Sequence, residues 1–194
     1  MNHLPTARDR MLTSAITLFR ERGIDATSFA DVIERADAPR GSIYHHFPGG
    51  KTQLAEEATR TAGTLMGTLI ASSLEQGEPS EMLALIIGGF RQRLLDSDFR
   101  SGCPVVAGAL EGGDFPAARE VAGETFTSWE GTIAAALEQR GVPAARAESL
   151  ATTAITAIEG ALLVAKAQHS VQALDRVAAE LGGLIDSVVD GAQR

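Results

Sequence analysis

Two prolines, Pro39 and Pro48, set the tightest limit on what this chain can fold into. Proline suits the first turn of a helix because it has no N–H to satisfy, and it pushes the residue before it out of helical geometry. The stretch "PRGSIYHHFP" can therefore hold a helix of barely two turns, from about Pro39 to Phe47. So short a helix is marginal by itself and needs bracing from neighbours. Side chains not spent on that bracing are available to something outside the chain. A surface helix and loop with no partner is the plain alternative.

The neighbours can supply the bracing. Helical periodicity is strong almost everywhere, and sustained two-residue alternation is absent. A first helix carries Leu12, Ala15, Ile16 and Phe19 on one face, with Thr6 to cap it and Gly23 to stop it. A second begins at Ser28, whose spacing to Asp31 resembles a capping box, and carries Phe29, Val32, Ile33 and Ala36. It ends near Asp37, since Asp tolerates the left-handed turn that usually selects Gly. After the short third helix, Gly49 and Gly50 reverse the chain and a long fourth helix runs from about Lys51 to Gln76. Punctuation then predicts helices from Ser80 to about Asp96, from Pro104 to Gly112-Gly113, from Asp114 to Arg140, from Pro143 to about His169, and from Ser170 to about Asp190. The expectation is an all-α chain of about nine helices, with residues 1–50 a front domain and 51–194 a larger bundle.

Composition bounds the function. With 194 residues, 44% of them hydrophobic, a sizeable core is within reach. A single cysteine rules out an internal disulfide framework and suits a reducing, cytoplasmic setting. Met1 to Arg10 has no apolar stretch of the signal-peptide kind behind it, and apolar runs such as Met82 to Phe90 are too short to span a bilayer. The net charge of −8 argues against a protein that coats nucleic acid generally. That charge is unevenly placed. Residues 1–60 balance eight basic against eight acidic side chains, so the remainder carries the whole excess. The front of the chain can approach an anion; the rest would repel one.

Ser28–Ala36, a tight turn and Pro39–Phe47 have the lengths of a helix-turn-helix, with Val32, Ala36, Ile43 and Phe47 as its core. Arg40, Ser42, Tyr44 and His45 are then outward donors, suited to phosphates and base edges. Gly41 costs about 1 kcal/mol relative to Ala in a helix, which makes sense where another backbone must come close. Lys51 sits at a helix start, where free N–H groups already favour a phosphate. The adjacent His45 and His46 point about 100° apart on a helix and do not form a metal site. No metal, cofactor or catalytic residue is expected.

The segment "ATSFADVIERADAPRGSIYHHFPGGK", following a helix that ends in "LFRERG", resembles the DNA-binding segment of TetR-type repressors. With the later "GCPVVAGALE" it is similar to the subgroup named for LmrA and YxaF. The resemblance implies a homodimer placing two reading helices in successive major grooves of double-stranded DNA. It also implies a small-molecule pocket in the C-terminal bundle and pairing through the last two long helices. Carried over residue by residue, Ser28, Arg40, Ser42, Tyr44, His45 and Lys51 are DNA contacts. Two positions depart from the pattern: Asp37 stands where Gly is usual, and Ile33 where Ala is common.

Phe90, Phe99, Phe115, Phe126 and Trp129 can line a pocket for an apolar or aromatic effector, although aromatics at helical spacing are more often core. Cys103 precedes Pro104 at a helix start, so a reactive thiol stands beside the plainer reading of a small packed residue. It makes a redox-sensing repressor, or an enzyme using Cys103, the alternatives to a ligand-responsive repressor. Helices about 143–169 and 171–190 are rich in small residues (Ala154, Ala157, Ala161, Ala165, Gly182, Gly183) beside bulky ones. Such faces pack closely, either within the chain or against a second copy, and the homodimer is the reading favoured here.

Overall fold

The computed structural model describes residues 5–111 and 113–193. Among them are nine helices and no strand: α1 (Ala7–Arg22), α2 (Phe29–Ala36), α3 (Ser42–His46), α4 (Gly50–Gln76), α5 (Pro79–Asp96), α6 (Pro104–Ala109), α7 (Pro116–Glu138), α8 (Ala144–Gln168) and α9 (Gln172–Ala192). The all-α expectation holds. Gly112, expected to help end the short sixth helix, lies outside the described residues.

Caps explain most helix limits. The Thr6 hydroxyl accepts from Asp9 N–H and the Asp9 carboxylate accepts from Thr6 N–H, 2.9 Å away, so a full capping box starts α1. Ser28 and Asp31 repeat it on α2. Asp37 closes α2 in the left-handed region at φ 46°, its N–H donating to Glu34. Other starts differ from the sequence reading. The short reading helix begins at Ser42 rather than Pro39, because Ser42 N–H closes a tighter turn onto the Pro39 carbonyl, 3.0 Å away. Helix α5 is capped at Glu78 rather than Ser80, with Pro79 in its first turn. Helix α7 starts at Pro116, beyond Asp114. Ser170 precedes the α9 cap, Val171, and its hydroxyl accepts from Gln172 N–H.

The helices pack as two compact units. The first comprises the chain up to Thr64 with Cys103–Glu124. Its core joins Met11, Phe19, Ile24, Val32, Ile43, Phe47 and Leu54 to Phe115 and Ala118 from the later segment. Helix α1 packs on α2, α3 and α6. Gly108 on α6 is required by space: a Cβ there would lie 2.9 Å from Thr59 Oγ1 and 3.1 Å from the Ala118 carbonyl. The second unit comprises Leu65–Gly102 and the chain from Thr125. There α5 packs on α9 and α8, and α8 packs on α9. Arg140 ties its loops together, donating to Glu78 Oε2, the Gly77 carbonyl and the Ala136 carbonyl at 2.8, 2.8 and 3.0 Å.

Among the described residues α8 is the one helix long and apolar enough, by length and composition, to cross a bilayer. Uninterrupted apolar runs underestimate it, because alanines and threonines raise its average without forming a run. Nearly half of its most apolar stretch is buried inside the protein, as in a core helix.

Candidate nucleic-acid interface

Helix α3 is held from behind and open in front. Ile43 and Phe47 are fully buried and anchor it in the first unit's core. Arg40, Gly41 and His45 are exposed, and so is Tyr44, at 65% of its surface. A Cβ built on Gly41 would meet nothing within 4 Å, so a second backbone or a duplex has room to approach. The Tyr44 ring stands edge-on to Phe29, 5.5 Å between centroids, an arrangement aromatic pairs favour.

The other three sequence-predicted contacts are partly spent inside the chain. The Ser28 hydroxyl donates to Asp31 Oδ2 at 2.6 Å while accepting from Asp31 N–H. The Ser42 hydroxyl donates to the Pro39 carbonyl at 2.7 Å. Lys51, half-buried at the start of α4, donates through Nζ to the Asp25 carbonyl at 3.0 Å and lies 5.2 Å from the centre of the Phe115 ring. Ser28 and Ser42 would have to exchange an internal acceptor for a phosphate, whereas the Lys51 ammonium has further N–H donors beyond the one on Asp25.

Asp31 is the electrostatic fixture of this end. The Ser28 hydroxyl and backbone N–H, then Arg22, hold its carboxyl down to about 2 from an ordinary 3.8. Arg22 Nη2 is 2.7 Å from Asp31 Oδ2. Two further residues brace α3, and short-range sequence patterns do not reveal them. Arg10 donates to the Ala36 carbonyl at 3.0 Å and to the Asp37 carbonyl at 3.5 Å, clamping the turn that launches α3. Arg8 pairs with Glu57 and lies 5.0 Å from the Phe47 ring centre.

Between α2 and α3 runs an open groove of about 730 Å³. Its apolar lining is Phe29, Ala30, Ile33, Ala38 and Tyr44; its charged lining is Glu34, Asp37 and Arg40.

In the second unit a small cavity of about 40 Å³ lies among Met66, Ile70, Met82, Ile86, Phe90, Trp129, Ile155 and Ile158, with Glu159 its one charged lining residue. Of the aromatics expected at a pocket, Phe90 and Trp129 line it. Phe126 stands edge-on to Trp129, 5.5 Å between centroids, and is not among the lining residues. Phe99 lies against His169, and Phe115 is in the first unit's core. Cys103 is buried at the start of α6 and also does not line the cavity. A space of this size holds a water or two, whereas small-molecule pockets measure roughly 300–1,000 Å³. Admitting a ligand there requires side chains to move.

The small residues expected at a dimer seam divide between two directions. Ala154, Ala161 and Ala165 are buried within the second unit. The outer faces of α8 and α9 instead expose Gly160, Leu163, Val164, Gly183 and Leu184.

Comparison with known proteins agrees with these features. A family described as "Bacterial regulatory proteins, tetR family" matches residues 11–58, and one described as "Transcriptional regulator LmrA/YxaF-like, C-terminal domain" matches residues 79–180. The chain is 40% identical over 184 residues to an uncharacterised HTH-type transcriptional regulator of Mycobacterium tuberculosis, covering 92% of this chain and 93% of that protein. It is 32% identical over 160 residues to the uncharacterised HTH-type transcriptional regulator YxaF of Bacillus subtilis, covering 81% and 84%. A crystal structure of a TetR transcriptional regulator from Legionella pneumophila superposes with a TM-score of 0.80 at 22% identity, over 95% of this chain and 99% of that one, which speaks to the fold.

Proposed function

Because the chain belongs to the TetR family of transcriptional regulators, within its LmrA/YxaF-like group, we propose that it is a repressor that occupies a palindromic operator as a homodimer and leaves it on binding a small apolar or aromatic molecule. In this reading residues 1–50 form the DNA-binding domain and 51–194 the ligand-binding and dimerisation domain of a cytoplasmic protein. Relatives of this kind are regulators rather than enzymes. The observation that carries the reading is α3 with its flanking residues: Ile43 and Phe47 buried behind, and Arg40, Tyr44 and His45 exposed in front.

Arg40 can fork onto a guanine edge, Tyr44 and His45 can reach phosphates, and Gly41 lets the duplex close in. Ser28 and Ser42 contribute once they release their internal partners, and Lys51 through its further N–H donors. Two such helices about 34–36 Å apart meet successive major grooves. The exposed apolar and small residues of α8 and α9 support pairing of two chains there. The cavity lined by Phe90 and Trp129 supports the effector class, since its lining offers dispersion contacts and hardly any polar ones. An effector that binds better to a state with misplaced reading helices lowers occupancy; coupling of about 1–3 kcal/mol changes affinity roughly 5- to 150-fold. Cys103 is buried and is not among the residues lining that cavity, which leaves the thiol-sensing alternative without support.

The test is a fluorescence-anisotropy titration of labelled DNA from upstream of the chain's own gene. Wild type binds specifically and loses affinity steeply with salt. Arg40→Ala and Tyr44→Ala each lose about tenfold or more in affinity, the worth of one such contact. Planar aromatic compounds are then added to look for release. Binding that is insensitive to both substitutions overturns the reading.

A further inference from the structure

The groove between α2 and α3 has an unusual mixture of chemistry for a surface next to DNA. Glu34 and Asp37 line it, and both are exposed. Carboxylates repel phosphate oxygens, so the DNA backbone does not belong there. Phe29, Ala30 and Ile33 line it as well, and their side chains carry no donor or acceptor for a base edge. Yet the groove is continuous with the reading surface, because Arg40 and Tyr44 belong to its lining. The major-groove edge of B-DNA displays one apolar group, the C5-methyl of thymine.

We propose that this groove seats a thymine methyl of the operator, with Phe29 and Ile33 as the side chains that specify it and Arg40 taking a neighbouring guanine. The proposal rests on the reading of α3 as a DNA-binding helix and adds to it a base preference. Packing supports the assignment. Tyr44 stands edge-on to Phe29, so the two rings together form one apolar wall of the groove. Ala30 adds little bulk, which leaves the space between that wall and Ile33 open. Ile33 borders the groove on its other side, and Asp37 also lines it.

The full-length protein is used to enrich duplexes from a random pool. In an enriched duplex each thymine is then replaced in turn by deoxyuridine, which removes only the methyl, in both half-sites. Wild type loses about ten- to twentyfold in affinity at one thymine per half-site, within a step or two of a guanine, as expected for the two buried methyls together. In Ile33→Ala and in Phe29→Ala that thymine–uracil ratio falls towards one, while circular dichroism checks that each variant is folded. Ile33→Ala keeps the test usable should Phe29→Ala fail to fold. Enrichment followed by indifference to every methyl, or a ratio unchanged in Ile33→Ala, overturns this inference alone. Failure to enrich any duplex overturns it together with the DNA-binding reading beneath it.

Discussion

The guanidinium of Arg10, on α1, donates to the carbonyl of Ala36 at the last turn of α2, 3.0 Å away, and reaches the neighbouring Asp37 carbonyl at 3.5 Å. Those carbonyls are among the four that any helix leaves unpaired at its end. A cation there also opposes the negative end of the helix dipole. Arg10→Ala should therefore lower unfolding free energy by about 1 kcal/mol, the usual worth of such a bond. The turn that aims α3 should loosen too, weakening DNA binding severalfold. Arg10→Lys should restore only part of both, because a single flexible ammonium lacks the rigid planar fork whose separate nitrogens meet the two carbonyls. Urea denaturation and anisotropy on the same samples check this; an Arg10→Ala protein as stable as wild type would remove the clamp from the account.

Gly108 is a second long-range constraint. Thr59 Oγ1, 2.9 Å from a hypothetical Cβ, is itself fixed, since it donates to the Ala55 carbonyl at 2.9 Å and Thr59 is buried. The Ala118 carbonyl on the other side is backbone and cannot swing away. Gly108→Ala should overpack this seam at a cost of about 1–3 kcal/mol, despite alanine's better helix propensity. Denaturant melts decide it: a stability gain would show that α6 can shift freely on α4.

How far the sequence reveals this architecture depends on the distance between partners. The Thr6–Asp9 and Ser28–Asp31 boxes and the left-handed Asp37 are legible because each partner lies within three positions. Arg10 with Ala36, Ile24 N–H with Glu111 and Lys51 with Asp25 are not, because chain reversal brings them together. Lys51 shows the consequence. Its charge at a helix start suggests a phosphate contact, while its Nζ lies on a carbonyl and beside Phe115. The cavity shows another. Phe90 and Trp129 stand out as aromatics, but Met66, Ile70 and Ile155 lining the same space are indistinguishable in sequence from any core-facing aliphatic residue.

Asp31 gives a pH dependence whose sign is fixed. Its carboxyl is held at about 2 in the folded chain against an ordinary 3.8. A depressed carboxyl stabilises the fold above its unfolded pKa, and that contribution fades as pH falls from about 4 through 2. Asp31→Asn should thus be less stable than wild type at pH 6, with the gap narrowing steadily below pH 4. Thermal melts of both proteins from pH 6 to pH 2.5 measure the gap. A gap constant across this range would mean that the carboxylate's charge is irrelevant and only its shape matters.

Leu163 provides the sharpest test of pairing between chains. It is 68% exposed on α8, beside Val164 at 40%, with Leu184 on α9 at 37%. Solitary exposed leucines are ordinary, but α8 and α9 pack on each other and together expose Leu163, Val164 and Leu184 as well as Gly160 and Gly183. A Cβ on either glycine would meet nothing within 4 Å, so these positions are open to a second backbone. Leu163→Glu puts a charge on the exposed side of α8 and leaves the buried Ala161, Leu162 and Ala165 unchanged. Helicity and melting should change little, because exposed substitutions usually shift stability by less than about 0.5 kcal/mol. Sedimentation should instead show a dimer becoming a monomer at micromolar concentration. Operator affinity should fall by orders of magnitude, since one short reading helix is left without its twin. A variant that sediments with wild type, at the same affinity for DNA, would place any chain-to-chain contact elsewhere on the molecule.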